Sequence, residues 1–219
     1  MTRFIVVRHG ETQWNIAARI QGHGDSALTD SGIAQADAIA QRLATEPFDV
    51  LVSSDLGRAM QTAGRISAAT GREVVPDARF RERSFGCAEG LTYDELHKRF
   101  PDAFGRHLQD NDPDFRLPES ETRREFYVRI ADAFEALANE HAGKQVAVVC
   151  HGGVLAALYR HIHGIAASQP ASVEIPNAAY NRVLRESSQW TIEAWADTAH
   201  FDAGWAAGGA RGSILARMS

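Results

Sequence analysis

The chain has 219 residues, enough for one α/β domain with its own buried core and short for two. Hydrophobic residues at 44% and charged residues at 23% exclude a disordered or fibrous chain. A net charge of −5 argues against a general nucleic-acid or membrane surface, so neither is expected as a partner.

The chain enters a strand at once through Arg3-Phe4-Ile5-Val6-Val7, which leaves no room for a signal peptide. No apolar run approaches the roughly 18 residues of a membrane span. Two further apolar runs, Val50 to Val52 and Val146 to Cys150, also lack alternation, as expected for parallel strands covered on both faces. Each run is followed by a helical pattern. The first helix carries Ile33, Ala36, Ala40 and Leu43 on one face, with Thr29 or Asp30 as N-cap. The second carries Ala59, Ala63 and Ile66, with Ser54 or Asp55 as cap and Gly71 as stop. The third covers Val154 to Ile162, just past Gly152-Gly153. A longer helix is predicted from about Ser120 to His141, with Phe126, Ile130, Phe134 and Leu137 toward the core. Arg182 to Arg185 and Trp190 to Ala194 read as two strands around a short turn. Cys87 and Cys150 suggest no disulfide framework, so a reducing, cytoplasmic home is expected.

The fold class that follows is a three-layer α/β/α arrangement with a largely parallel central sheet. One domain is expected over residues 1–202, with residues 86–118 inserted over the strand ends and 203–219 as a loose tail. Ligands of such sheets bind beyond the carboxyl ends of the strands. Each of the three runs delivers polar groups there: Arg8-His9-Gly10, Ser53-Ser54-Asp55 with Arg58, and His151-Gly152-Gly153. Two arginines, two histidines and two helix starts with unpaired N–H groups then converge on one anion site, suited to tetrahedral phosphate. A neutral histidine beside arginines can act as the nucleophile. Phosphoryl transfer needs chiefly positioning and charge stabilisation, so neither a metal nor a cofactor is required. Glu82 is the best-placed carboxylate to protonate the leaving oxygen, with Glu11 and Asp55 next.

Arg8-His9-Gly10-Glu11-Thr12-Gln13-Trp14-Asn15 resembles the opening motif of the histidine phosphatase superfamily, the phosphoglycerate mutase-like proteins. The resemblance continues through Gln21-Gly22, Asp25 and Leu28-Thr29, then Ser53 to Ala63, Arg81 to Gly86, His151-Gly152-Gly153 and Pro176-Asn177-Ala178. It implies that His9 is the phosphorylated nucleophile and that Arg8, Arg58 and His151 hold the phosphoryl oxygens with help from Asn15. It implies Glu82 as proton donor and later as the base for water, with Gln21, Gly22 and Gly152 lining the pocket. Two departures leave the catalytic groups intact: Ala27 where the family often has Pro, and Pro118-Glu119-Ser120 where it often has Gly before Glu-Ser.

Within the family, mutases resemble one another in an Asn after the second His-Gly and an arginine pair in the insertion. Here Gly153 stands in the first position, and Arg106 and Arg116 are isolated. A phosphatase acting on a small phosphorylated metabolite is therefore expected ahead of a mutase. A catalytically weak recognition domain would be expected to have lost His9, His151 or Glu82. A metallohydrolase is disfavoured because His161 and His163 point apart on a helix, while His97, His107, His141 and His200 lack ligand spacing.

Overall fold

The computed structural model of the chain describes residues 1–101 and 112–201. The expectations for Arg106, His107 and the tail 203–219 therefore fall outside the described residues.

One sheet contains six strands: β1 (Thr2–Arg8), β2 (Val50–Ser53), β3 (Val74–Pro76), β4 (Gln145–Cys150), β5 (Tyr180–Glu186) and β6 (Gln189–Asp197). Their spatial order is β3-β2-β4-β1-β5-β6. β3, β2, β4 and β1 run parallel, while β5 and β6 add an antiparallel edge. The helices are α1 (Gln13–Ile16), α2 (Asp30–Ala44), α3 (Gly57–Thr70), α4 (Tyr93–Arg99), α5 (Arg123–Glu140) and α6 (Gly152–His163). Among the described residues, no helix is long and apolar enough to cross a membrane.

The continuous apolar runs are continuous because both faces of the sheet are covered. Phe4, Val6, Val146 and Val148 pack with α5 and α6, through Phe126, Ile130, Phe134 and Leu155. Their neighbours Ile5, Val7, Ala147 and Val149 pack on the opposite face with α2 and α3, through Ile39, Leu43, Ala59 and Ile66. The period of two along each strand thus feeds two cores, which is the three-layer architecture. A satellite core of Ile20, Ala88, Leu96 and Leu117 holds the described part of the insertion.

β4 is the strand that assembles the site. It lies between β1 and β2, so that β1 and β2 are not themselves neighbours. Its register sets Arg8 beside Cys150 and Ser53 beside Val149. His9, Ser54 and His151 therefore leave the same sheet edge, at the place where strand order reverses.

Local capping agrees with the sequence at α2, where Thr29 Oγ1 accepts from Gly32 N–H at 2.9 Å. At α5 a capping box of Thr122 and Glu125 starts the helix at Arg123, three residues after the expected Ser120. Neither Ser54 nor Asp55 caps α3. The N-cap residue is Leu56, with no side-chain cap bond, and the Arg58 N–H is met by Asp25 Oδ1 at 3.2 Å. Ser54 and Asp55 are engaged in longer-range contacts described below.

Candidate active site

His9 follows β1 directly and is 3% exposed. Its Nδ1 lies 2.8 Å from the Gly10 carbonyl, and a carbonyl only accepts, so Nδ1 carries the proton. In the neutral ring the lone pair is then on Nε2. Burial first, then the Arg58 and Arg8 guanidinium groups, hold the His9 imidazole well below its usual titration range. His9 thus presents a neutral ring with a free Nε2 lone pair at neutral pH.

His151 is fully buried, with its ring centroid 5.3 Å from that of His9. Its Nε2 lies 2.7 Å from Ser54 Oγ, which itself accepts from Leu56 N–H at 3.4 Å. This contact with Ser54 fixes the orientation of the His151 ring and leaves Nδ1 as its unengaged nitrogen. Burial, then Arg58 and His9, also hold this imidazole well below its usual range.

Arg8 donates Nη1 to the Ile175 carbonyl at 2.6 Å. Burial pulls its titration down to about 10, against the opposing pull of Glu82. Arg58 is 1% exposed and reaches back to the loop after α1, donating Nη1 to Gly24 O and Nη2 to Gly22 O, each at 2.8 Å. Gly22 makes this possible: its φ is +55°, and a Cβ there would sit 2.3 Å from Glu89 Oε1. Glu89 in turn accepts from the N–H groups of His23, Gly24 and Phe85, clipping this loop to the start of the insertion.

At the strand ends, three buried nitrogens have no hydrogen-bond partner among the described residues: Arg8 Nε, Arg58 Nε and His151 Nδ1. Unmet buried donors are costly, so these nitrogens at three strand ends are open to an acceptor that enters the site. Gln21 is buried with Oε1 likewise unmet. Asn15 is oriented by its capping role, since Oδ1 accepts from Thr12 N–H at 3.0 Å, which leaves its NH2 as the outward end. Gly152 lies against Arg8, where a Cβ would be 3.5 Å from Nε.

Glu82 is 7% exposed and makes no ion pair with the adjacent Arg81 or Arg83. Its Oε1 accepts from Arg83 N–H at 2.8 Å and its Oε2 from Gly153 N–H at 2.9 Å. The start of α6 therefore delivers an amide to Glu82, and the start of α3 delivers one to Asp25. Of the N–H groups expected to be open at both helix starts, one at each is thus taken by a carboxylate on a facing loop, as helix N-termini favour. The other candidate acids are engaged elsewhere. Asp55 forms a two-point pair with Arg81, which holds its carboxyl below the usual range, and Glu11 Oε1 accepts from Thr29 Oγ1 at 2.9 Å.

Sequence reasoning missed several supports. Asn177 donates to the His9 carbonyl at 2.9 Å, and Thr62 Oγ1 accepts from Gly10 N–H at 3.1 Å. His23 Nε2 donates to the Glu82 carbonyl at 3.0 Å. Ser54 was legible as a strand-end hydroxyl, but only the pairing with β4 shows that it serves His151. His161 and His163 do have separate partners, Glu135 at 3.4 Å and the Tyr159 ring at 4.3 Å between centroids.

The fold and the site define an α/β protein with two buried histidines and two buried arginines at the carboxyl edge of its sheet. The chain belongs to the histidine phosphatase superfamily (branch 1), whose profile matches residues 4–198. It is 38% identical over 205 residues to phosphoglycerate mutase-like protein 4 of Arabidopsis thaliana, covering 90% of this chain and 86% of that one. Among solved structures, YhfR of Bacillus stearothermophilus superposes with a TM-score of 0.83 at 26% identity, covering 91% of this chain and 99% of that one. A mycobacterial glucosyl-3-phosphoglycerate phosphatase in complex with VO3 superposes with a TM-score of 0.79 at 30% identity, covering 90% and 99%.

Proposed function

We propose that the protein is a phosphatase that hydrolyses small phosphate monoesters through a phosphohistidine on His9. The observation that supports this reading is the set of unpartnered buried nitrogens, Arg8 Nε, Arg58 Nε and His151 Nδ1, beside a histidine whose Nε2 holds its lone pair. His9 Nε2 attacks phosphorus in line; the P–N bond forms as the ester P–O bond breaks. Glu82 gives its proton to the departing oxygen. Water then enters, Glu82 takes its proton, and the P–O bond to water replaces the P–N bond. Phosphate and free His9 result. Arg8, Arg58 and His151 supply the charge stabilisation that would otherwise need a metal.

Hydrolysis is favoured over transfer to a second hydroxyl by Gly153, which offers no side chain to hold such a hydroxyl. Arg116 is paired with Glu125 and exposed, so it grips no carboxylate at the site. The name of the mycobacterial neighbour, a phosphatase seen with vanadate, supports the same branch, while the Arabidopsis name points to mutases.

A second anionic group on the substrate has a counterpart in Arg83. It is 8% exposed, and among the described residues its guanidinium makes one hydrogen bond, from Nε to the Glu121 carbonyl at 3.0 Å. Tyr127 OH nearby is buried and unpartnered among the described residues. Small phosphorylated acids are therefore the substrate class we favour. The test is incubation with 3-phosphoglycerate and a trace of the 2,3-bisphosphate. Free phosphate should appear, and Arg83→Met should raise KM for this substrate more than for nitrophenyl phosphate. Rapid 2-phosphoglycerate formation without free phosphate would overturn the reading.

A further inference from the structure

Glu82 sits in a stretch without regular structure, residues 81–85, so no strand ladder or helix holds its backbone. A proton donor must nevertheless be held to within a fraction of an ångström of its working position. The question is what holds it.

On α5, Arg129 is 47 residues from Glu82 in sequence. Its guanidinium donates Nη1 to the carbonyls of Arg79 at 2.7 Å and Arg81 at 3.1 Å, and Nη2 to that of Glu82 at 3.3 Å. The remaining edge, Nε and Nη2, grips both oxygens of Glu121 at 2.8 Å. The five donors of an arginine thus match five contacts, two to a carboxylate and three to the backbone that carries Glu82. Its position is fixed from below by the buried Phe126 ring, 5.1 Å from the guanidinium carbon. Glu121 braces the same stretch twice more: its N–H donates to Ser84 O at 3.0 Å, and its carbonyl accepts from Arg83 Nε. From the other side, His23 Nε2 donates to the Glu82 carbonyl.

We infer that Arg129, locked by Glu121, is a positioning residue for the general acid: it takes the place of a strand ladder for residues 79–82 and so sets the direction of the Glu82 carboxylate. The inference rests on Glu82 being the acid, and the test is built to separate the two. Arg129 touches none of the groups that hold the phosphoryl oxygens. Its loss should therefore spare phosphate binding and hurt proton delivery.

The experiment compares an alkyl phosphate with nitrophenyl phosphate in the wild type, Glu82→Gln, Arg129→Met, Arg129→Lys and Glu121→Gln, with vanadate inhibition and thermal unfolding recorded for each. Glu82→Gln sets the reference: a selective loss on the alkyl phosphate. Arg129→Met should show the same selectivity, with kcat/KM on the alkyl phosphate down roughly 10²-fold, little loss on the aryl ester, and vanadate affinity unchanged. Arg129→Lys should lose nearly as much, because one ammonium cannot span a carboxylate and three carbonyls. Glu121→Gln should lose less, in the same substrate order, and it keeps the test open if Arg129→Met does not fold. Equal losses on both substrates in the Arg129 and Glu121 variants, or full alkyl activity in Arg129→Lys, would overturn the inference. A Glu82→Gln protein without selectivity would instead overturn the assignment of the acid.

Discussion

Replacing Gly153 by alanine adds one carbon at the point where α6 meets Glu82. A Cβ at 153 would stand 2.1 Å from Glu82 Oε1 and 2.9 Å from its Cδ. Non-bonded contact needs more than 3 Å, so the carboxylate must retreat by roughly 1 Å. It cannot do so and keep both amides, Arg83 N–H at 2.8 Å and Gly153 N–H at 2.9 Å. Each such hydrogen bond is worth about 0.5–1.5 kcal/mol, and displacement of a reacting group by about 1 Å can cost 10²-fold in rate. Gly153→Ala should therefore lower kcat/KM on alkyl phosphates about 10²-fold and spare activated aryl phosphates. The fold should survive, because alanine is favoured over glycine in a helix and the clash falls on the tip of a side chain. The assay is steady-state kinetics on both substrate types beside a thermal melt. A Gly153→Ala protein as active as the wild type on an alkyl phosphate would refute the link between this glycine and the acid. The same geometry explains why an amide side chain at 153 and this pose of Glu82 cannot coexist.

Acid should weaken the folded state in a definite window. His9 and His151 titrate well below 6.5 when folded, because burial disfavours their charged forms. Above about pH 6.5 both are neutral in either state and cost nothing. As pH falls below that, the unfolded chain binds the extra protons, and stability should drop by up to about 1.4 kcal/mol per pH unit for each ring. Denaturant titrations at pH 7.5 and 5.5 measure this; equal midpoints would contradict the burial of the two rings, and replacing both histidines should flatten the slope. Metal chelation should leave the rate unchanged and vanadate should inhibit, since the charge at the site comes from Arg8 and Arg58. Activity that vanished with a chelator and returned with Zn²⁺ or Mn²⁺ would contradict this.

The strands that build the site were legible because they are buried on both faces and therefore read as unbroken apolar runs. The convergence of His9, Ser54 and His151 followed from the rule that such sheets use their carboxyl edge, although the order with β4 in the middle did not. β3 was illegible: three residues ending in Pro76, at an edge with little buried surface, carry no pattern. α1 and α4 are one or two turns long and exist through capping boxes, Thr12 with Asn15 and Thr92 with Glu95, rather than through periodicity. The cap of α3 was misread for an instructive reason. Ser54 and Asp55 have the right chemistry to cap it, but His151 and Arg81 arrive from elsewhere in the chain and claim them, leaving Asp25 to meet the Arg58 N–H. Local chemistry names the candidates for a contact, and tertiary pairing decides among them. Arg129 shows the limit most plainly: an arginine on a helix reads as a solvated charge until the backbone of residues 79–82 is folded against it.

A phosphohistidine on His9 can be trapped. The protein is mixed with a monoester labelled on phosphorus, quenched during turnover in alkali or in acid, and digested. The account predicts label on the peptide carrying His9, stable in alkali and lost in acid, decaying to inorganic phosphate at the turnover rate, and absent from His9→Ala, which should not turn over. Normal turnover by His9→Ala, or label that survives acid on another residue, would contradict it.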